Sequence, residues 1–154
     1  MDNIIERFYH AFQNLDAEAM CECYHTDIHF RDPAFGDLHG KSAGNMWRML
    51  ISSQKGKEFI VSFCDVKCDE QTGSAHWEAH YNFSKTGRKV HNRIDAQFKI
   101  KDGLIIEHID DFNLHSWSKQ ALGTSGMLLG WTGFFKKKLQ VQTNALLKKY
   151  ESTI

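Results

Sequence analysis

Two stretches of this chain carry residues suited to acid–base chemistry. The first is FRDPAFGDLHGK, residues 30–41, where Asp32 precedes the only proline and sits among Phe30, Ala34 and Phe35. A carboxylate in that setting has two uses. It can accept backbone N–H groups and shape the turn at Pro33. Stripped of water, it can instead hold a proton near neutral pH and act as a general base. The second stretch is IIEHIDDF, residues 105–112, with His108 and Asp110 two apart. On a strand they project from one face, about 6.6 Å apart. With Asp110 beside it, His108 could shuttle a proton. The competing structural roles are a hydrogen-bonded core histidine and a strand-end carboxylate. Asp111 has the opposite parity and competes for the inward position. His108 and Asp110 supply only two ligands, so no metal site and no cofactor are expected.

The elements that must position these residues follow from periodicity. Residues 2–13 read as a helix, with Ile4, Ile5, Phe8, Ala11 and Phe12 on one stripe. Asp16 can cap a second helix over 17–24, and Ser42 a third that turns Met46, Trp47, Leu50 and Ile51 inward. From residue 58 the period changes to two. Strands are expected at 59–68, 74–83, 89–100 and 104–112, joined by short glycine-bearing turns and therefore antiparallel. Along 89–100, Val90, Asn92, Ile94, Ala96, Phe98 and Ile100 share the inner face, while His91, Arg93, Asp95, Gln97 and Lys99 face solvent or a subunit interface. Along 74–83, Trp77, Ala79, Tyr81 and Phe83 go in; His76, Glu78, His80 and Asn82 go out. A last helix carries Phe135, Leu139, Leu146 and Tyr150 on one side. Its FFKKKLQ segment reads as a solvated lysine face over a packed stripe, a cover for a pocket mouth or a dock for a partner.

Composition sets the outer limits. At 154 residues and 42% hydrophobic, the chain suits one domain with a real core; 19 Lys+Arg balance 19 Asp+Glu, which argues against a dedicated nucleic-acid binder. No stretch approaches the roughly 20 apolar residues of a membrane span. The N-terminus lacks signal-peptide features, so a cytoplasmic protein is expected, with no membrane partner. Cys21, Cys23, Cys64 and Cys68 are too poorly spaced for local disulfides or a zinc knuckle and read as buried reduced thiols.

Helices followed by an antiparallel meander make an α+β plan, a curled sheet closed by helices around a conical pocket. In this setting FRDPAFGDLHGKSA resembles the ketosteroid isomerase segment in which Asp-Pro precedes a turn, a glycine and the third helix. DGLIIEHIDDFNLHSW is similar to the last strand of limonene epoxide hydrolases and SnoaL-like cyclases. Together they place nearly the whole chain beside the nuclear transport factor 2-like superfamily. The resemblance implies a cone with an extra C-terminal helical extension over 114–154, and a homodimer through the sheet. It sets Asp32 at the isomerase base and Asp110 at the acid/base aspartate of hydrolases and cyclases. The isomerase's first-helix tyrosine is Phe8 here, with Tyr9 about 100° round the helix. Its oxyanion aspartate is Ala96. The hydrolase arginine and second aspartate are Trp77 and Ala79. Steroid isomerisation and epoxide hydrolysis are therefore not implied in full. A cyclase-like arrangement of Asp110 and His108, with Asp32 across the pocket, is the scheme least contradicted. The resulting expectation is a small, largely apolar ligand held by Trp47, Trp77, Tyr81, Asn92, Phe112 and Phe8, with proton transfer, cyclisation or hydration as the chemistry. The alternatives are a binding module without chemistry, and a protein-interaction domain.

Overall fold

Asn3 begins the first helix: its side chain accepts from Glu6 N, and Glu6 reaches back to the Asn3 backbone. This capping box satisfies two otherwise unpaired donors. In the computed structural model, which describes residues 2–154, α1 (Ile4–Gln13) buries Ile4, Ile5, Phe8, Tyr9, Ala11 and Phe12. Asp16 caps α2 (Ala17–Glu22) by accepting from Ala19 N. β1 (Tyr24–Asp32) and β2 (Gly36–His39) follow as a hairpin around Pro33. Gly36, at φ 73°, takes the left-handed conformation that closes this turn. α3 (Lys41–Ser53) starts at Gly40 with no side-chain cap. Ser42 does not cap it; its hydroxyl donates instead to Glu151, 3.0 Å away.

The meander comprises β3 (Phe59–Cys68), β4 (Thr72–Asn82), β5 (Lys89–Lys101) and β6 (Leu104–Asp111). All its pairs are antiparallel. β1 joins its far side in parallel with β6, giving one six-stranded sheet in the order β2-β1-β6-β5-β4-β3. The curved sheet buries Trp77, Ala79, Ile94, Ala96 and Phe98 against α1 and α3, and Val90 against Trp117 and Ala121 near the C-terminal end of the chain. Their alternation is the one read from the sequence. The chain ends in α4 (Leu114–Leu122), α5 (Thr124–Leu129) and α6 (Gly133–Glu151).

Three expectations need correction. Only Cys23 is a buried thiol. Cys64 is exposed, and Cys21 and Cys68 are half-buried. β3 is an edge strand, and its register shifts between Cys64 and Lys67, so Cys64 faces out and Cys68 only borders the core. On α6 the buried residue is Leu147, whereas Leu146 is 50% exposed. The helix docks along a narrow line rather than over a broad stripe. α5 was not foreseen, and with the start of α6 it leaves Met127, Leu128, Leu129, Trp131 and Phe134 exposed. Among the described residues, no helix is long and apolar enough to cross a membrane.

Candidate active site

His108 and Asp110 lie on the inner face of β6 and are buried, while Asp111 is exposed. That settles which of the adjacent acids points inward. Ala96 of β5 stands directly opposite Asp110 in the register. The two side chains form the centre of a buried chain of hydrogen bonds. Trp47 Nε1 donates to the Tyr24 hydroxyl at 2.8 Å. That hydroxyl lies 2.7 Å from His108 Nδ1. His108 Nε2 lies 2.9 Å from Asp110 Oδ1, and Trp77 Nε1 donates to the same oxygen at 3.2 Å.

The chain has a direction. Trp47 can only donate, so the Tyr24 oxygen accepts from it. The remaining Tyr24 proton has one acceptor within reach, the unprotonated Nδ1 of His108. Nε2 must then carry the hydrogen and donate to Asp110. Aromatic neighbours hold the imidazole in place: Phe8 and Phe30 meet it edge-on, with ring centroids 5.3 and 5.2 Å away. Burial pushes the Tyr24 phenol well above its ordinary pKa, so it remains a donor.

Asp32 closes β1. Its Oδ1 accepts from Ala34 N at 2.9 Å and Phe35 N at 2.6 Å. The turn-shaping role is therefore real. It coexists with a strong perturbation: desolvation, with the Asp110 charge adding to it against the two backbone hydrogen bonds, pushes the Asp32 carboxyl up to about 7. In both acids Oδ1 is occupied by protein donors. Among the described residues, neither Oδ2 receives a hydrogen bond.

Asp32 and Asp110 line one cavity of about 330 Å³, together with Trp47, Trp77, Tyr81, Asn92 and Phe112. Five of the six expected wall residues are thus brought together. The sixth, Phe8, is not in the wall. It is fully buried, stacked on Tyr24 at 5.3 Å, and supports His108 from behind. A second hollow of about 270 Å³ shares Phe83, Trp117 and Leu139 with the first and continues toward Leu129 and Phe134.

Sequence reasoning missed one part of this site and left a second open. Tyr9, adjacent to the isomerase-like position, also turns into the core, stacking on Phe63. Its buried hydroxyl has no partner among the described residues. Burial first, and then the Asp110 charge, hold the phenol well above its usual pKa. The sheet curls around α1, so Phe8 meets Tyr24 and His108 on one side while Tyr9 meets Phe63 and Phe98 on the other, which a single helical stripe does not anticipate. The roof was one of the roles left open for the FFKKKLQ helix. Leu139, Thr143 and Leu146 of α6 line the cavity. Gln140, Thr143 and Asn144 donate to the carbonyls of Pro33, Ala34 and Phe35 at 3.1, 2.8 and 2.8 Å. The helix is latched to the turn that carries Asp32.

A family model described as a SnoaL-like domain matches residues 5–108. The chain belongs to the SnoaL-like family. Asp32 and His108 of this SnoaL-like chain fall inside the matched region; Asp110 and the α6 roof lie beyond it. No curated protein sequence matches the chain. Solved structures share the cone. One is a protein proposed to be a polyketide cyclase from Xanthomonas campestris pv. campestris, 18% identical, TM-score 0.61, covering 76% of this chain and 93% of its own. A second is an LEH-like epoxide hydrolase from M. tuberculosis, 20% identical, TM-score 0.59, covering 81% and 90%. A third, from Burkholderia pseudomallei K96243, is an NTF2-like protein of unknown function, 13% identical, TM-score 0.65, covering 79% and 99%. At these identities the likeness concerns the fold.

Proposed function

We propose that this SnoaL-like protein binds a small, largely apolar molecule in the cavity beneath α6 and moves a proton on it using Asp110 and Asp32. The observation that carries the reading is the pairing of two carboxylates on one apolar cavity, each with Oδ1 tied down and Oδ2 free of protein donors. Asp110 is the base. Two N–H donors fix its Oδ1, and Oδ2 accepts the proton of a C–H or water O–H bond. Asp32, at about 7, is present in both forms near neutrality and suits the return of a proton to another atom of the substrate. The net change is an isomerisation, cyclisation or hydration with no redox step, and solvent resets the two carboxyls. His108 does not touch the substrate in this scheme. Its fixed tautomer positions Asp110. The adjoining apolar hollow supports an elongated ligand, with its reactive head at the acids and its tail toward Phe134.

The test uses nitrobenzisoxazole, an apolar carbon acid that opens when a carboxylate removes one proton. Turnover above that of free acetate is expected, falling about 10²–10⁴-fold in Asp110→Asn. Wild-type rates no better than acetate, unchanged in Asp110→Asn, would remove the catalytic reading. Ligand-induced quenching of Trp47 and Trp77 fluorescence would then favour a binding module.

A further inference from the structure

The outer face of the sheet carries a cluster that the cavity chemistry does not use. His80 of β4 stands directly opposite His91 of β5 in the register, and their rings stack at 3.8 Å. Glu78 lies two residues from His80, so it shares the outward face. One ligand atom from each of Glu78, His80 and His91 lies within 4.8 Å of the other two. Neighbouring donors around tetrahedral zinc stand about 3.3 Å apart, given bonds of roughly 2.0–2.1 Å. Side-chain rotation closes that difference without moving the strands.

A second observation concerns the orientation of the carboxylate. Glu78 Oε1 faces His91 Nε2 at 2.5 Å. Its other oxygen is held by His76 Nε2 at 2.7 Å. His76 is held in turn by Asp95 through Nδ1 at 2.8 Å. This outer layer holds Oε2 and so fixes the direction of the Oε1 lone pairs toward His91, as the supporting shell of a metal centre does. His80 makes no hydrogen bond among the described residues, and its ring nitrogens are open to a cation.

We infer that Glu78, His80 and His91 form a surface binding site for a divalent zinc-like cation, with His76 and Asp95 as positioning residues. Two imidazoles and one carboxylate suit Zn²⁺ and leave one coordination position open. On binding, the hydrogen between His91 Nε2 and Glu78 leaves or moves to Nδ1, and the metal takes its place. Arg93 opposes the cation, since its Nε lies 3.8 Å from Glu78 Oε1. Its side chain is largely exposed and can swing away. This site was not foreseen, although HWEAH, residues 76–80, places three such side chains on one strand face at spacing two.

The experiment is calorimetric titration of chelator-treated, tag-free protein with Zn²⁺. One ion per chain is expected. Binding should vanish in Glu78→Gln and in His80→Ala, weaken about 10–100-fold in His76→Ala, and tighten in Arg93→Gln. It should be unchanged in His29→Ala, which alters the other stacked histidine pair, His29 and His39. His80 is exposed, so its removal leaves the fold intact. Absence of saturable uptake, or uptake that survives both Glu78→Gln and His80→Ala, would overturn the site.

Discussion

The Tyr24 hydroxyl lies 2.7 Å from Nδ1 of His108, and this contact decides which face of the imidazole carries hydrogen. Without it, His108 could present either nitrogen to Asp110. With it, Nε2–H points at the carboxylate and the relay has one direction. Tyr24→Phe should therefore leave both the Trp47 indole N–H and His108 Nδ1 buried without partners. A loss of about 1–3 kcal/mol is expected, measured by denaturant unfolding. Nitrogen NMR of the His108 ring should also show mixed tautomers.

Asp110 contributes to the high pKa of Asp32, after desolvation. Asp110→Asn removes that charge and keeps the side-chain volume. The Asp32 pKa should fall from about 7 yet remain above its ordinary 3.8, because burial persists. Carbon NMR titration of the Asp32 carboxyl measures it. An unchanged midpoint would mean that the two acids do not sense each other.

Stability should depend on pH through the same group. Asp32 holds its proton up to about 7 when folded, against 3.8 ordinarily. Between those values the folded state binds the extra proton, so stability falls as pH rises across the window and levels off above it. Asp32→Asn retains an oxygen for Ala34 N and Phe35 N but cannot ionise. The variant should gain in Tm relative to wild type at pH 8, with little difference at pH 3. Thermal melts across the range check the sign.

The roof should loosen independently of the floor. Thr143→Ala with Asn144→Ala removes two hydrogen bonds to the Ala34 and Phe35 carbonyls, worth about 1 kcal/mol each. Trypsin should then cut faster at Lys136–Lys138, while amide exchange in β4 and β5 stays unchanged.

Much of this architecture was legible because strands announce their faces. Trp77, Ala79, Ile94 and Phe98 alternate with charged residues, and parity alone brought His108 and Asp110 to the same side. Parity left Asp110 and Asp111 unresolved until the pairing of Ala96 with Asp110 fixed the register. The parallel pairing of β1 with β6 was not readable, since it joins segments some 80 residues apart with no local turn to mark it. Phe8 was misassigned to the cavity wall because a helical stripe shows which residues are buried but not which surface they meet. A cover for the pocket mouth was among the roles open to α6, but its attachment was hidden. Its hold on the turn runs through Gln140, Thr143 and Asn144, polar residues that carry no hydrophobic signal.

The α6 latch has one more consequence, for how such a protein diverges. Its three donors grip main-chain carbonyls, which every sequence offers, so the side chains of residues 33–35 can change without releasing the helix. The acids sit on β1 and β6, whereas Leu139, Thr143 and Leu146 come from α6. The two acids and the roof are thus carried on separate stretches of the chain. Substitutions in the roof can reshape the cavity while the two acids beneath it stay in place.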